Sequence, residues 1–168
     1  AGPDDVPAMQ RVSTLAGSLF ASVPDPRVSA RAADPPPSAS LLAEWVAVGR
    51  AWVSSAAGGG AVVGYLVADV VDGNLHVEEV AVVPDAGGRG HGTALLDAAA
   101  AAAVAAGCPA VTLTTFADVP FNRPWYERRG FAVVPADAVG PELAARVREE
   151  ADLGLDPAIR VCMRRPVA

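Results

Sequence analysis

The sequence predicts an α/β fold, a mixed β-sheet packed by helices, and two observations predict it. The apolar runs Val62–Val71 and Leu75–Val83 are joined by Asp72-Gly73-Asn74, a hairpin signal that makes them antiparallel neighbours. The helical stretch Thr93–Ala106 then leads to the β-branched strand Val111–Phe116. Because so long a connection usually joins parallel neighbours, Val111–Phe116 is expected to run parallel to Leu75–Val83, the strand before the helix.

The other elements follow from apolar spacing and from turn residues. Apolar residues recur at helical spacing in the first twenty positions. The proline-rich segment that follows, Ser22–Ser38, is predicted to be a loop or a loop with a short turn of helix. The remaining predicted elements are a helix over Ser40–Val48, a strand over Ala51–Ser54, a short helix over Asn122–Arg129, a strand over Phe131–Val134, a helix over Pro141–Leu153 and a last strand over Ile159–Met163.

Length and composition limit the class of protein. The chain has 168 residues, which predicts a single domain over 1–168, and 52% hydrophobic residues argue against disorder. The net charge of −6 disfavours nucleic acid as a partner and mildly favours a cationic substrate. The two cysteines, Cys108 and Cys162, lack metal-binding or redox spacing, so we expect no metal. No run reaches membrane-spanning length and no secretion signal opens the chain, so a cytoplasmic protein with no membrane partner is expected.

A glycine-rich loop, Gly87-Gly88-Arg89-Gly90-His91-Gly92, connects the third predicted strand to the helix at Thr93. Glycine tolerates positive φ, so successive N–H groups can face one concavity, and the helix N-terminus adds unpaired N–H groups. Such a loop suits a phosphate or pyrophosphate, although a glycine-rich turn without a ligand is the alternative. A Walker loop is excluded because its lysine is missing, and the dinucleotide fingerprint fails because Thr93 stands where its last glycine belongs.

With the Val-x-Pro strand end before it, this loop resembles the acyl-CoA loop Gln/Arg-x-x-Gly-x-Gly/Ala of the Gcn5-related N-acetyltransferase (GNAT) superfamily. Gly87 departs from that pattern, since it stands where the family usually has Gln or Arg. The resemblance implies acetyl-CoA as cosubstrate and a twisted sheet of six to seven strands with helices on both faces. Family members usually begin with a strand before the first helix, for which this sequence has no room, so that strand is expected to be absent or to require residues before Ala1.

The resemblance also implies which residues contact acetyl-CoA. A bulged strand segment would bind the pantetheine amides, and the glycine loop with the first helical turn would bind the pyrophosphate. The residues implied are Val80, Ala81 and Val82 for the pantetheine, and Gly87, Gly88, Arg89, Gly90, His91, Gly92 and Thr93 for the phosphates. His91 replaces the usual aliphatic residue, and it either approaches a phosphate or lies on the surface.

A second motif supports the same family. Asn122, Tyr126, Gly130 and Phe131 match in order a family pattern of Asn before a helix, then Tyr, polar residues, Gly and Phe. The resemblance implies that Tyr126 protonates the leaving sulfur and that Asn122 contacts the cofactor. From the residues alone, Asn122 is a helix cap and Tyr126 a half-buried aromatic residue. The sequence of Pro120–Phe131 and of the acidic helix after it resembles a subgroup of bacterial small-molecule acetyltransferases.

A base for the acceptor amine is expected on the strand before the loop. His76 and Glu78 share one strand face by period-two alternation, and Glu79 lies on the other. Glu78 stands where many family members place an acidic or histidine base, and His76 is a second candidate because its ordinary pKa is near neutrality. The alternative is that both are polar residues on a solvated face.

These observations predict an N-acetyltransferase that moves acetyl from acetyl-CoA to a primary amine by direct attack. The expected partners are acetyl-CoA and a small-molecule amine, and a homodimer is left open. Two other functions stay open. One is a non-catalytic acyl-CoA sensor, which would not need Glu78 or Tyr126, and the other is an enzyme acting on protein or peptide amines.

Overall fold

The computed structural model describes residues 1–167, and within them it contains one six-stranded sheet with the order β1-β2-β3-β4-β6-β5. The strands are β1 (Ala51–Ser55), β2 (Val62–Val71), β3 (Asn74–Val82), β4 (Ala110–Phe116), β5 (Ala132–Val133) and β6 (Arg160–Pro166). The α-helices are α1 (Val6–Gly17), α2 (Pro26–Ser29), α3 (Ala39–Ala47), α4 (His91–Ala105), α5 (Arg123–Glu127) and α6 (Pro141–Asp152). No helix among the described residues has the length and apolar character needed to cross a membrane.

The sheet is mixed, as predicted. β1 pairs with β2 in antiparallel register, and the register shifts at Ser54 and Ser55. β3 pairs with β4 in parallel over Leu75–Val77, and β6 runs antiparallel to both β4 and β5. The α/β fold with an open mixed sheet flanked by helices is therefore confirmed.

By its contacts the chain forms two compact units, each assembled from two segments. The first unit contains Ala1–Asp69 and Glu78–Ala99, and the second contains Val70–Val77 and the chain from Ala100 onward. A single domain over 1–168 stays a prediction, and its last residue, 168, lies outside the described residues.

The core of the first unit lies between α1, α3 and one face of β1, β2 and β3. Apolar residues on one side of α1 are buried there because they recur at helical spacing. The buried members of this core are Val6, Met9, Val12, Leu42, Ala51, Tyr65, Val67 and Ala81. Met9, Leu42 and Tyr65 have no exposed surface, so this core fixes α1 on the sheet face from which Ala81 of β3 also projects.

In the second unit, the β2–β3 hairpin caps α6. Asp72 adopts a positive φ of 48° in the turn, and its carboxylate accepts the backbone N–H groups of Glu142 (3.0 Å) and Leu143 (2.9 Å). The Glu142 carboxylate accepts the Asp72 N–H in return. This reciprocal cap satisfies N–H groups that the first turn of a helix leaves unpaired.

Some predicted boundaries differ from the structure. α4 begins at His91, earlier than Thr93, because the Gly90 carbonyl already accepts the Ala94 N–H at 2.9 Å. The predicted helix over Asn122–Arg129 is shorter, since α5 ends at Glu127 and Gly130 (φ 83°) reverses the chain. The strand predicted over Phe131–Val134 contains only Ala132–Val133, whereas β6 is longer than predicted because its full length pairs with β4.

Candidate active site

The glycine loop forms a tight turn between β3 and α4. A short 3-10 turn, Pro84–Ala86, follows the strand, and Gly88 and Gly90 have φ values of 72° and 89°. Residues with a side chain rarely adopt such angles, so these two positions require glycine. The loop is exposed and leads directly into α4. Its backbone N–H groups therefore lie near the N-terminus of that helix, which is the positive end of the helix dipole.

Gly87 departs from the family pattern for a reason that the structure shows. Its N–H donates to the Pro84 carbonyl at 2.9 Å, and a Cβ at this position would lie 3.0 Å from that same oxygen. A side chain at this position would therefore require the Pro84 carbonyl to shift by a few tenths of an ångström. Arg89 is exposed in the same loop and is the cationic side chain nearest in sequence to the two left-handed glycines.

His91 is held by a residue that sequence reasoning missed. Its Nδ1 lies 2.8 Å from the Ser54 Oγ, and the ring is half-buried. One ring nitrogen is thus engaged with β1, next to the register shift of that strand. His91 is therefore an anchored residue rather than a free surface histidine. Gly92 and Thr93 continue the first turn of α4.

The segment Val80–Val82 lies at the end of β3 that leads to the loop. The pairing of β3 with β4 covers Leu75–Val77, so this segment lies beyond that register. Ala81 is buried in the α1 core, while a Cβ at Gly64 of β2 would lie 3.1 Å from both the Ala81 carbonyl and the Val82 side chain. The close approach at Gly64 allows the two strands to continue together to the loop.

His76 is part of the protein interior. Its side chain is 1% exposed, and its Nδ1 lies 3.0 Å from the Thr112 Oγ1 of β4. The alternative, that His76 is a polar residue on a solvated face, is therefore excluded. Sequence reasoning could not see the partner, because Thr112 is remote in the chain. The role of His76 as a base stays a prediction.

The two glutamates that follow in β3 have different surroundings. Both are partly buried, and alternation along the strand directs Glu79 toward α1 and Glu78 toward the opposite face. The Ser13 hydroxyl of α1 donates to the Glu79 Oε1 at 2.9 Å. Burial raises the pKa of the Glu79 carboxyl, and the neighbouring Tyr65 and Ser13 hydroxyls partly oppose that rise. Glu78 is the candidate base that the motif indicates, and Glu79 has a hydrogen-bond partner on α1.

The second motif forms α5 and the turn after it. Tyr126 is 9% exposed, and its ring packs edge-on against Trp125 (5.0 Å) and Phe131 (5.7 Å). The Asn122 carbonyl accepts the N–H groups of Trp125 and Tyr126, but its side chain does not cap the helix. Instead the Asn122 amide donates to the Thr115 Oγ1 of β4 at 2.8 Å.

The two units divide the predicted site residues. The glycine loop, Val80–Val82, Glu78 and Glu79 belong to the first unit, and His76, Asn122 and Tyr126 belong to the second. Within residues 1–167 no group of three or more His, Cys, Asp or Glu side chains is arranged to bind a metal ion.

Comparison with known families identifies the family of this chain. The family model described as "Acetyltransferase (GNAT) family" matches residues 21–131, which include β3, the glycine loop, α4 and the Tyr126 motif. The chain belongs to the GNAT acetyltransferase family. This confirms the resemblance that the two motifs indicated, and it makes the protein an acetyl-CoA-dependent acetyltransferase.

Solved structures share the fold of this GNAT acetyltransferase. Rv2747 from Mycobacterium tuberculosis, in complex with CoA and NLQ, is 24% identical with a TM-score of 0.70, covering 100% of this chain and 97% of that one. The PaiA N-acetyltransferase from Thermoplasma acidophilum, in complex with coenzyme A, is 10% identical with a TM-score of 0.68, covering 99% and 95%. The ribosomal-protein-S18-alanine N-acetyltransferase from Escherichia coli is 17% identical with a TM-score of 0.62, covering 98% and 89%. At these identities the likeness is one of fold.

Proposed function

We propose that this GNAT acetyltransferase transfers the acetyl group of acetyl-CoA to a primary amine of a small molecule, by direct attack of the amine on the thioester. The observation that carries the proposal is the loop with two left-handed glycines immediately before α4. Its backbone can approach a pyrophosphate without side chains between them, and the helix N-terminus favours the negative charge.

The strand before the loop supplies the second part of the proposal. Val80, Ala81 and Val82 would bind the pantetheine amides through backbone groups, in extension of the strand. The same N–H groups would stabilise the oxyanion that forms when the amine adds to the thioester carbonyl, because donors fixed in advance stabilise developing charge. Arg89, with its exposed guanidinium, would contact a phosphate.

Tyr126 is proposed as the acid that protonates the thiolate as it leaves. Its ring is fixed by two edge-on aromatic contacts, so the hydroxyl has a defined position. The proposed base stands on β3, where Glu78 and His76 are the candidates from the sequence. General acid or base groups of this kind contribute about 10²- to 10⁴-fold in rate.

A cationic amine is the favoured class of acceptor. The chain has a net charge of −6, and the acidic pair Glu78 and Glu79 lies immediately before the proposed pantetheine segment. Carboxylates beside the reacting centre would attract an ammonium and accept its proton. The cytoplasm, where acetyl-CoA is available, is the proposed location.

The test of this proposal is thiol release from acetyl-CoA in the presence of a panel of amines. Polyamines, aminoglycosides, amino acids and short peptides with free N-termini cover the classes left open. We expect a small cationic amine to release thiol fastest. If a peptide is the preferred acceptor, the enzyme acts on protein amines and not on small molecules. If the protein binds acetyl-CoA but no amine releases thiol, it is a sensor and not an enzyme.

The Tyr126→Phe variant separates an enzyme from a sensor. Phenylalanine retains the ring contacts with Trp125 and Phe131, so folding and acetyl-CoA affinity should be unchanged. Amine-dependent thiol release should fall by about 10²-fold, because the sulfur loses its proton donor. Turnover equal to that of the wild type would contradict the role of Tyr126.

A further inference from the structure

A polar cluster beneath α1 lies beside the proposed pantetheine segment. Its residues belong neither to the glycine loop nor to the Tyr126 motif. It consists of Ser13 on α1, Tyr65 on β2 and Glu79 on β3. The Ser13 Oγ donates to the Glu79 Oε1 at 2.9 Å, across 66 positions of sequence. All three residues belong to the first compact unit.

The Tyr65 hydroxyl gives this cluster its significance. Tyr65 has no exposed surface, and no atom among the described residues completes a hydrogen bond of ordinary geometry with its hydroxyl. It nevertheless lies near enough to the Glu79 carboxyl for each group to alter the pKa of the other. A buried hydroxyl without a partner costs about 1–3 kcal/mol, so a third polar group is expected between or beside these two.

The cluster lies at the edge of the core of the first unit. Ser13 and Glu79 are each partly buried, whereas Tyr65 has no exposed surface. The surroundings on α3 and β1 are apolar, with Leu42, Trp45 and Val53 packed in the same core. Three factors therefore determine the pKa of the Glu79 carboxyl: its burial, the Ser13 hydroxyl from α1 and the Tyr65 hydroxyl from β2.

We propose that Glu79, held by Ser13 and Tyr65, binds the acceptor ammonium and accepts its proton. This inference rests on the proposed transfer to an amine, and it assigns the base to the face of β3 that packs toward α1 instead of to Glu78 or His76. Glu79 directly precedes Val80–Val82, so the proton acceptor and the proposed thioester site are adjacent along one strand.

The proton balance is closed by this arrangement. The ammonium gives one proton to the Glu79 carboxylate, and the neutral amine then forms a C–N bond with the thioester carbonyl. The C–S bond breaks as the adduct collapses, the nitrogen loses its second proton, and the thiolate gains one. Glu79 finally returns its proton to solvent, so one proton is released for each amide formed.

Burial suits Glu79 to this task. Because burial raises its pKa above the ordinary value of 4.5, the carboxyl is a stronger base than an exposed glutamate once it is ionised. The Ser13 hydroxyl, which donates to the carboxylate, and the neighbouring Tyr65 hydroxyl both lower that pKa in part. Removing either hydroxyl should therefore raise the pKa of Glu79.

The experiment compares Glu79→Gln with Glu78→Gln, the same change one position away on the opposite face. With the amine that the wild type prefers, we expect Glu79→Gln to lower kcat/KM about 10²-fold or more. Acetyl-CoA affinity and the folded structure should be retained, and the loss should exceed that of Glu78→Gln. A Glu79→Gln enzyme as active as the wild type, or a larger loss from Glu78→Gln, would overturn the inference.

The pH profile provides the readout that a merely structural role would not move. Activity should fall as the pH drops through the pKa of Glu79, and Ser13→Ala and Tyr65→Phe should each move this acidic limb to higher pH. An acidic limb that stays in place in both variants would overturn the inference, even if Glu79→Gln fails to fold. A wild type that binds acetyl-CoA but acetylates no amine would instead refute the proposed function on which the inference rests.

Discussion

At Gly140 the chain passes so close to the Asp72 carboxylate that a side chain would not fit. A Cβ at this position would lie 2.3 Å from the Asp72 Oδ2, although the φ of Gly140, −68°, suits any residue. The carboxylate has little freedom to move away because it accepts the N–H groups of Glu142 and Leu143. Glycine is therefore required here by the α6 cap and not by backbone conformation.

We predict that Gly140→Ala destabilises the protein by about 1–2 kcal/mol, the usual value of a lost helix cap. The matched control is Gly17→Ala at the end of α1, where a Cβ meets nothing within 4 Å. That change should stabilise by about 0.5 kcal/mol, since alanine is the better helix former. Urea unfolding measures both, and equal effects of the two variants would show that the Asp72 cap contributes little.

Single residues also show where sequence reasoning ends. Positive φ in the glycine loop was predictable from its composition, but the residues that adopt it, Gly88 and Gly90, could be identified only in the structure. The partners of Asn122 and His91 were not predictable, since Thr115 and Ser54 reach them only through the fold. The sequence does not single out Glu79 for a similar reason: its hydrogen-bond partner, Ser13, lies in the first helix.

At the scale of elements, the contact of α1 with β3 places a carboxyl in a largely apolar core. Burial favours the neutral form of Glu79, so its pKa in the folded protein exceeds the ordinary 4.5. The folded state then binds more protons than the unfolded state above this pH. Stability should therefore decrease as the pH rises from the ordinary pKa through the raised one.

This sign gives a prediction for Glu79→Gln, which does not titrate. The difference in Tm, variant minus wild type, should be smallest below about pH 4.3, the ordinary range of a glutamate, and should grow as the pH rises. Circular dichroism melts across the acid-to-neutral range measure it. A difference in Tm that is constant with pH would mean that Glu79 ionises in the folded protein as readily as in the unfolded chain.

Most elements were predictable because their periodicity is strong. The β2–β3 hairpin, α4 and β4 occur where apolar patterning and turn residues indicated them. The predicted boundaries differ from the structure at the start of α4, in α5 and in the strands after it. The ends of β5 and β6 are set by strand pairing and not by local sequence. β5 is two residues long, and strand propensity alone could not predict so short a strand.

At the scale of the whole molecule, the family follows from two motifs in the correct order, and the family model covers both. The sequence alone led to the donor, acetyl-CoA, because a backbone phosphate loop has a characteristic composition. It did not lead to one acceptor, because an acceptor is recognised by side chains from distant segments. The fold by itself does not choose among acceptors.

The central claim is that the loop from Gly87 to Gly92 binds the pyrophosphate of acetyl-CoA, and calorimetric titration tests it most directly. Gly90→Ala strains a residue at φ 89°, and Gly59→Ala strains one at φ 78° in the β1–β2 turn, with nothing within 4 Å of either Cβ. We predict that the wild type and Gly59→Ala bind acetyl-CoA with equal, micromolar affinity, and that Gly90→Ala binds it at least tenfold (about 1.4 kcal/mol) more weakly. No binding by the wild type, or equal affinity in all three proteins, would contradict the account.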